Sequence, residues 1–167
     1  MNVAFLCLGG NMGDRLAFIN NAKELINSLC GKITAESAIY ETEAWGAENA
    51  PEHYNQCLKL ETKLEAEALL KELLEIEIKL GRVRNELKNE TRVIDIDILF
   101  YNKEIINKNN CEIPHPRLQL RQFVLKPLNE IAGDFVHPVL NKSISELLSE
   151  CKDKCIAKKL TENVHLH

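Results

Sequence analysis

The chain has 167 residues, the length of one ordinary domain, and its 45% hydrophobic and 28% charged residues are typical of a soluble globular protein. Its net charge of −4 argues against a general nucleic-acid binder, which needs a basic surplus, so we predict no nucleic-acid partner. No apolar run approaches the roughly 20 residues of a membrane-spanning helix, and the apolar start is too short for a signal peptide. We therefore predict a cytoplasmic protein without a membrane partner.

The six cysteines are interpreted as free thiols. Most of them lie in apolar runs, and a chain of this length builds a core without disulfides. Buried free thiols are typical of a reducing compartment. Cys151 and Cys155 are four residues apart, but a lone pair falls short of the four ligands of a structural metal site.

Hydrophobic periodicity and turn residues predict the elements in chain order. Asp14 is the expected N-cap of the first helix, and Gly31 is its expected stop. The predicted strands cover residues 2–8, 33–42, 55–62 and 93–101, and the predicted helices cover residues 15–30 and 65–80. The rest is predicted as mostly irregular, with short helices near residues 143–148 and 152–159.

This β-α-β-β-α-β order predicts the α+β class, with a ferredoxin-like core built on an antiparallel sheet. Two helices are expected on one face, and the C-terminal extension is expected to place helices on the other. We predict a single domain over residues 1–160 and a frayed tail at residues 161–167.

The strongest chemical signal is the pair Asp95 and Asp97 in the last predicted strand. Alternate side chains of a strand share a face, so the two carboxylates are expected to stand together, with Cα atoms about 6–7 Å apart. The opposite, core face of this strand is predicted to consist of Ile94, Ile96, Ile98 and Phe100. Paired carboxylates select Mg²⁺. An exposed face with two solvated acids is the open alternative.

Arg82, Arg84 and Arg92 precede this strand. A basic loop and an acidic strand that meet at one end of a sheet suit a magnesium polyphosphate. Carboxylates hold the metal in such a site, and guanidinium groups bind phosphate oxygens in pairs.

Glu77 falls within the apolar stripe of the second predicted helix, where an unpaired acid is costly. Two interpretations stay open. The side chain either extends to solvent at the helix end, or it orients an arginine or a metal-bound water.

His115 lies between Pro114 and Pro116, which fix its backbone, and Arg117 and Arg121 follow within six residues. A histidine held in this way is a candidate donor to a phosphate oxygen. The alternative is a surface or satisfied core histidine.

Taken together, these motifs resemble the 6-hydroxymethyl-7,8-dihydropterin pyrophosphokinase family, from residue 3 to about residue 138. Residues 9–15, Gly-Gly-Asn-Met-Gly-Asp-Arg, are similar to the family's Gly-Ser-Asn-Leu-Gly-Asp-Arg opening. The other matching segments are Asn55, residues 81–84, Arg92, residues 95–97, residues 115–117, Arg121, residues 123–125 and residues 127–128.

The resemblance implies transfer of pyrophosphate from ATP to the pterin hydroxymethyl group, giving AMP and the pterin diphosphate. We expect the chain to be a monomer. It implies catalytic roles for Arg82, Arg92, Asp95 and Asp97, with two Mg²⁺ ions bound by Asp95 and Asp97. It implies that ATP is bound by Arg84, Arg92, Ile98, His115 and Arg121. It implies that the pterin is bound by Thr42, Trp45, His53, Asn55, Asp95 and Phe123.

Two rival functions stay open. A nucleotidyltransferase also pairs an Asp-x-Asp motif with two magnesium ions, but it releases pyrophosphate instead of AMP. A ferredoxin-like RNA-binding module needs aromatic residues on its central strands and a basic face. Residues 93–100 offer acids there, which disfavours this second rival.

Overall fold

The computed structural model describes residues 1–10, 13–42, 53–81, 93–108 and 110–160, together with the backbone of Val83–Arg84 and Glu90–Thr91. The helices are α1 Arg15–Leu29, α2 Ala66–Lys79, α3 Gln122–Ala132 and α4 Ile144–Glu150, with a 3₁₀ turn at Leu118–Leu120. The strands are β1 Asn2–Gly10, β2 Lys32–Glu36, β3 Tyr40–Thr42, β4 His53–Thr62, β5 Val83–Arg84, β6 Glu90–Thr91, β7 Asp95–Tyr101, β8 Ile106–Lys108, β9 Cys111–Ile113 and β10 Ala157–Lys159. The predicted tail, residues 161–167, lies outside the described residues.

One six-stranded sheet forms the centre of the fold. Its strands run in the order β10-β3-β4-β1-β7, and β2 also pairs with β4. Each of these pairings is antiparallel. Two small hairpins, β5-β6 and β8-β9, lie outside this sheet. The predicted α+β class with an antiparallel sheet is confirmed.

Helices cover both faces of the sheet, as predicted. Side chains alternate along β1, so Leu6 and Leu8 pack with α1 and α2, whereas Phe5 and Cys7 pack with α3 and α4. The layer formed by α3 and α4 comes from the part of the chain that was predicted to be mostly irregular. None of the helices in the described part of the chain is long and apolar enough to cross a membrane.

Local signals set the ends of the first two helices. The Asp14 side chain accepts a 3.1 Å hydrogen bond from the Ala17 amide, which confirms the predicted N-cap of α1. After α2, Gly81 takes a φ of +118°, a backbone conformation that favours glycine.

The prediction for Phe100 was wrong. β1 pairs Leu6 with Ile98 but Phe5 with Phe100, so Leu99 is an extra residue that shifts the register. Beyond this bulge the strand reverses its faces, and Phe100 joins Phe5 in the layer beneath α3 and α4. Asp95 precedes the bulge, and the predicted shared face of the two aspartates is not affected.

The structure also differs from the prediction in three other segments. Residues 33–42 form two short strands, β2 and β3, because residues 37–39 between them leave the strand conformation. Residues 152–159 were predicted as a helix, but β10 pairs with the edge strand β3 instead. Tertiary pairing decides the conformation of such a short polar segment. Helix α3 was not predicted because it contains Pro127, and a proline inside a segment normally argues against a helix.

All six cysteines are free, as predicted, and four of them are buried.

Candidate active site

The site stands on three neighbouring strands, β4, β1 and β7. Residues directly opposite each other in antiparallel strands point to the same face. Gly9 lies opposite both Asn55 and Asp95. One step further along, Cys7 lies opposite both Cys57 and Asp97. The two aspartates therefore share the face that carries the Asn55 amide, as the alternation of β7 predicted.

Gly9 creates space in the centre of this face. A Cβ atom at Gly9 would collide with the side-chain nitrogen of Asn55. Because glycine has no side chain, a cavity of about 190 Å³ opens between β4 and β7. We call it the face cavity; its walls are Cys7, Gly9, His53, Asn55, Asp95, Asp97, Leu99, His115, Arg121, Phe123 and Val124.

The polar groups of the face cavity suit a flat, hydrogen-bonding ligand. Asn55 is only 6% exposed, and its Oδ1 has no hydrogen-bond partner among the described residues. A buried amide oxygen without a partner is costly unless a ligand or water satisfies it. At the start of α3, the Arg121 guanidinium lies 5.5 Å from the centre of the Phe123 ring. The cavity thus combines an aromatic ring, a cation and an unsatisfied amide.

A second cavity, of about 260 Å³, runs along the open edge of β7. We call it the edge cavity; it lies between Leu70, Leu74 and Glu77 of α2, Ile96 and Ile98 of β7, residues 110–113 and Pro116. Asp97 and His115 line both cavities. The two cavities therefore meet at one carboxylate and one imidazole.

His115 has a defined orientation. Its backbone amide donates to the Leu99 carbonyl at 3.0 Å, and its Nδ1 accepts from the Arg117 amide at 3.2 Å. In the neutral ring the proton is therefore on Nε2, which is left free to donate. Burial lowers the pKa of His115, and the neighbouring Asp97 carboxylate opposes that shift.

Glu77 is 3% exposed, so the interpretation that it extends to solvent was wrong. Its Oε2 accepts a 3.0 Å hydrogen bond from the Ile96 amide, midway between the two aspartates. A buried backbone N–H needs such a partner. Glu77 thus ties α2 to the strand segment that presents both carboxylates.

Two further predicted pterin residues lie at the ends of strands. His53 lines the face cavity, where desolvation lowers its pKa and Asp95 opposes the shift. Thr42 lies opposite His53 in the sheet, with its buried Oγ1 unpartnered among the described residues. The described walls of the two cavities do not include Thr42.

The remaining predicted residues are Trp45, Arg82, Arg84 and Arg92. Trp45, Arg82 and Arg92 lie outside the described residues, and only the backbone of Arg84 is described, in β5. Within the described ranges, no group of three or more His, Cys, Asp or Glu side chains is placed to hold a metal ion alone.

Sequence reasoning missed several wall residues because their role depends on strand pairing. Gly9 was considered only as part of the motif at residues 9–15, and Cys7 only as a buried thiol. Arg15 also went unassigned, although its guanidinium lies 3.9 Å from the centre of the Tyr54 ring. The register of β1 against β4 and β7 is the signal that identifies Gly9 and Cys7.

The model of the 7,8-dihydro-6-hydroxymethylpterin-pyrophosphokinase family matches residues 5–133 of this chain. The chain belongs to that family. The family match covers all the described wall residues of the face cavity, both aspartates included. It supports the resemblance seen in the motifs.

Relatives agree with this assignment, and a solved structure agrees with the fold. The 2-amino-4-hydroxy-6-hydroxymethyldihydropteridine pyrophosphokinase of Aquifex aeolicus is 37% identical over 150 residues, covering 90% of this chain and 92% of its own. The folic acid synthesis protein of Pneumocystis carinii is 42% identical over 149 residues, 89% of this chain, and the chain spans only 20% of its length. A structure of Plasmodium falciparum HPPK-DHPS with pteroate has a TM-score of 0.76 at 18% identity, covering 89% of this chain and 44% of that one, and it supports the fold.

Proposed function

We propose that the chain transfers pyrophosphate from ATP to the hydroxymethyl group of 6-hydroxymethyl-7,8-dihydropterin, a reaction of folate biosynthesis that yields AMP and the pterin diphosphate. Membership of the family and the names of relatives that the chain covers over most of their length support this reaction. The structural observation in its favour is that two cavities meet at Asp97 and His115. A transferase with two substrates needs such a junction, because proximity of the reacting groups supplies much of the rate.

The face cavity is the proposed acceptor site. The Asn55 amide is buried beside Asp95, and its free Oδ1 is an acceptor for N–H groups on the edge of a pterin. Phe123 offers a ring face for stacking. We assign His53, Thr42 and Trp45 to the same substrate, following the family resemblance.

The edge cavity is the proposed nucleotide site. Leu70, Leu74 and Ile98 give it apolar walls for a base, while His115 at the junction offers its Nε2–H to a phosphate oxygen. Arg121 adds a positive charge in the adjoining face cavity. We assign Arg82, Arg84 and Arg92 to the triphosphate as well, with Arg82 and Arg92 acting in catalysis, because guanidinium groups bind phosphate oxygens in pairs.

Two magnesium ions are the proposed cofactors, held by Asp95 and Asp97. The donor set fits this metal: the described protein groups offer two carboxylates on one face and no closed cluster, and Mg²⁺ typically takes its other ligands from water and substrate phosphates. When bound, the ions neutralise the triphosphate and orient it. Glu77 keeps the carboxylates in place by fixing the Ile96 amide.

In the proposed reaction, the pterin hydroxyl oxygen attacks the β-phosphorus of ATP. The new O–P bond replaces the bond from the β-phosphorus to the oxygen that leaves with AMP. Asn55 and Phe123 fix the acceptor, and His115 stabilises negative charge on the phosphate oxygens. The hydroxyl proton passes to the solvent, because a loose phosphoryl-type transition state does not require a strong general base.

Further properties of the chain belong to this proposal. The order β1-α1-β2-β4-α2-β7 with its antiparallel sheet is in line with a ferredoxin-like core, in one domain over residues 1–160. We assign a monomeric state to the chain as part of this proposal. The six free thiols fit the reducing conditions of the cytoplasm.

Product analysis tests the proposal. The protein is incubated with ATP, Mg²⁺ and the reduced pterin, and the nucleotide products are separated by chromatography. We expect AMP to form only when the pterin is present. Release of pyrophosphate would favour the nucleotidyltransferase, and ADP or an absence of turnover would contradict the proposal.

A further inference from the structure

Cys7 places a thiol in the wall of the face cavity. It lies between Cys57 and Asp97 in the sheet. Its Sγ is 4.0 Å from Nδ2 of Asn55, the amide whose Oδ1 lacks a described partner. Because Cys7 is only 5% exposed and lines the cavity, a group added to its sulfur has to extend into the space beside Asn55.

The other thiols have different surroundings. Cys57 is fully buried, and burial, followed by the adjacent Cys7 thiol, raises its pKa well above the ordinary value. Burial also raises the pKa of Cys30, to about 11. Such thiols stay protonated and react slowly. Burial raises the pKa of the Cys111 thiol too, and this residue lines the edge cavity instead of the face cavity. Cys151 and Cys155 are part-exposed and are not among the described walls of either cavity.

We propose that Cys7 is a covalent modification site inside the acceptor cavity: a small thiol-reactive electrophile that enters the cavity attaches to its sulfur and prevents the pterin from binding. The inference rests on the proposed function in one respect, since that function assigns the face cavity to the pterin. It adds a ligand chemistry, sulfur-directed electrophiles, to a site otherwise built for hydrogen bonds and stacking.

Methyl methanethiosulfonate is a suitable probe because the group it transfers is small. The thiolate sulfur of Cys7 attacks the methyl-bearing sulfur of the reagent, and a new S–S bond forms. The bond between the two reagent sulfurs breaks, methanesulfinate leaves with its electron pair, and the thiol proton goes to the solvent. Dithiothreitol reverses the modification by thiol–disulfide exchange.

The experiment uses the whole chain with Mg²⁺ and a non-hydrolysable ATP analogue, with and without the reduced pterin. Peptide mass spectrometry locates the methylthio groups, and fluorescence titration measures pterin binding. We expect Cys7 to be modified and pterin binding to be lost, then restored by dithiothreitol. Pterin at ten times its Kd should slow the modification of Cys7 about tenfold, because about one tenth of the cavities stay empty.

Two variants separate Cys7 from the surface thiols. Cys7→Ala should keep measurable pterin binding after treatment with the reagent, whereas the matched control Cys151→Ala should lose it as the unmutated chain does. If Cys7→Ala does not fold, the unmutated chain still tests the inference. The three measurements are the location of the methylthio groups, the protection of Cys7 by pterin and the recovery of pterin binding with dithiothreitol.

Three results would overturn the inference: modification of Cys151 and Cys155 but not of Cys7, modification of Cys7 at the same rate with and without pterin, or unchanged pterin binding by the modified chain. Failure of the proposed function is distinct. It would appear as an unmodified chain that forms no AMP from ATP and pterin.

Discussion

At the scale of single residues, Asp97 and His115 stand where the face cavity and the edge cavity meet. Asp97 is held on β7 opposite Cys7, and the His115 ring is oriented by the Arg117 amide. One side chain brings a negative charge for a metal and the other a neutral N–H donor for phosphate. Changes at this junction should affect turnover far more than folding.

Replacing Asp97 with alanine tests this separation. Asp97 is exposed and faces away from the core beneath α1 and α2, so Asp97→Ala should fold normally. We expect kcat/KM to fall by about a thousandfold or more, since charge stabilisation in the transition state is lost. Circular dichroism and urea unfolding serve as the control. Loss of the fold would show that the carboxylate has a structural role that we have not assigned.

Gly9→Ala tests the acceptor site separately from the nucleotide site. The added methyl group collides with the Asn55 side-chain nitrogen and should displace the amide. We expect the pterin KM to rise about tenfold, as for loss of a hydrogen bond to a buried group, while the ATP Kd stays unchanged. Titrations with the two ligands measure both effects. An unchanged pterin KM would contradict the assignment of the face cavity.

At the scale of elements, the contact of α2 with β7 holds the aspartates in register through Glu77. Its Oε2 accepts from the buried Ile96 amide, so Glu77→Leu leaves that donor without this partner. We expect Glu77→Leu to lower the free energy of unfolding by about 1–3 kcal/mol. The matched control Glu77→Gln keeps an oxygen acceptor and should lose less. Equal urea stabilities of the two variants would contradict the role of this hydrogen bond.

The connection between α3 and α4 depends on a neutral histidine. His137 is 4% exposed, and its Nδ1 accepts from the Val139 and Leu140 amides, both at 3.1 Å. Burial lowers its pKa below the ordinary value of 6.5. Its contribution to stability is therefore complete above that value and is lost as the pH falls through the lowered pKa.

His137→Asn removes this titration and keeps an oxygen acceptor near the Nδ1 position. The unmutated chain should lose stability between pH 7 and pH 5, and the variant should lose less over the same interval. Part of the dependence should remain, because the pKa values of His53 and His115 are lowered too. Urea unfolding at several pH values measures the slope. The same slope in both proteins would contradict this role.

At the scale of the whole molecule, local patterns predicted the first half of the fold well. Asp14 and Gly81 mark helix ends through side-chain and backbone chemistry that acts within a few residues. The alternation of β7 placed Asp95 and Asp97 on one face. Phe100 escaped this reasoning because the bulge at Leu99 depends on pairing with β1, which no local pattern encodes.

The same limit applies to the site. Asn55 lies 40 positions before Asp95 in the chain, with α2 between them, yet β1 brings the two residues side by side through Gly9. The motifs identified both residues, but the cavity between them exists because β1 lies between β4 and β7 in the sheet. Helix α3 places Arg121 and Phe123 over that cavity, although Pro127 conceals the helix in the sequence.

The central claim is that pyrophosphate moves as one unit to the pterin at the junction of the two cavities. ATP that carries a radiolabel on its β-phosphorus tests this directly, with Mg²⁺ and the reduced pterin present. We predict that the label appears in the pterin diphosphate, in an amount equal to the unlabelled AMP formed. Label recovered in ADP or in free pyrophosphate would contradict the account.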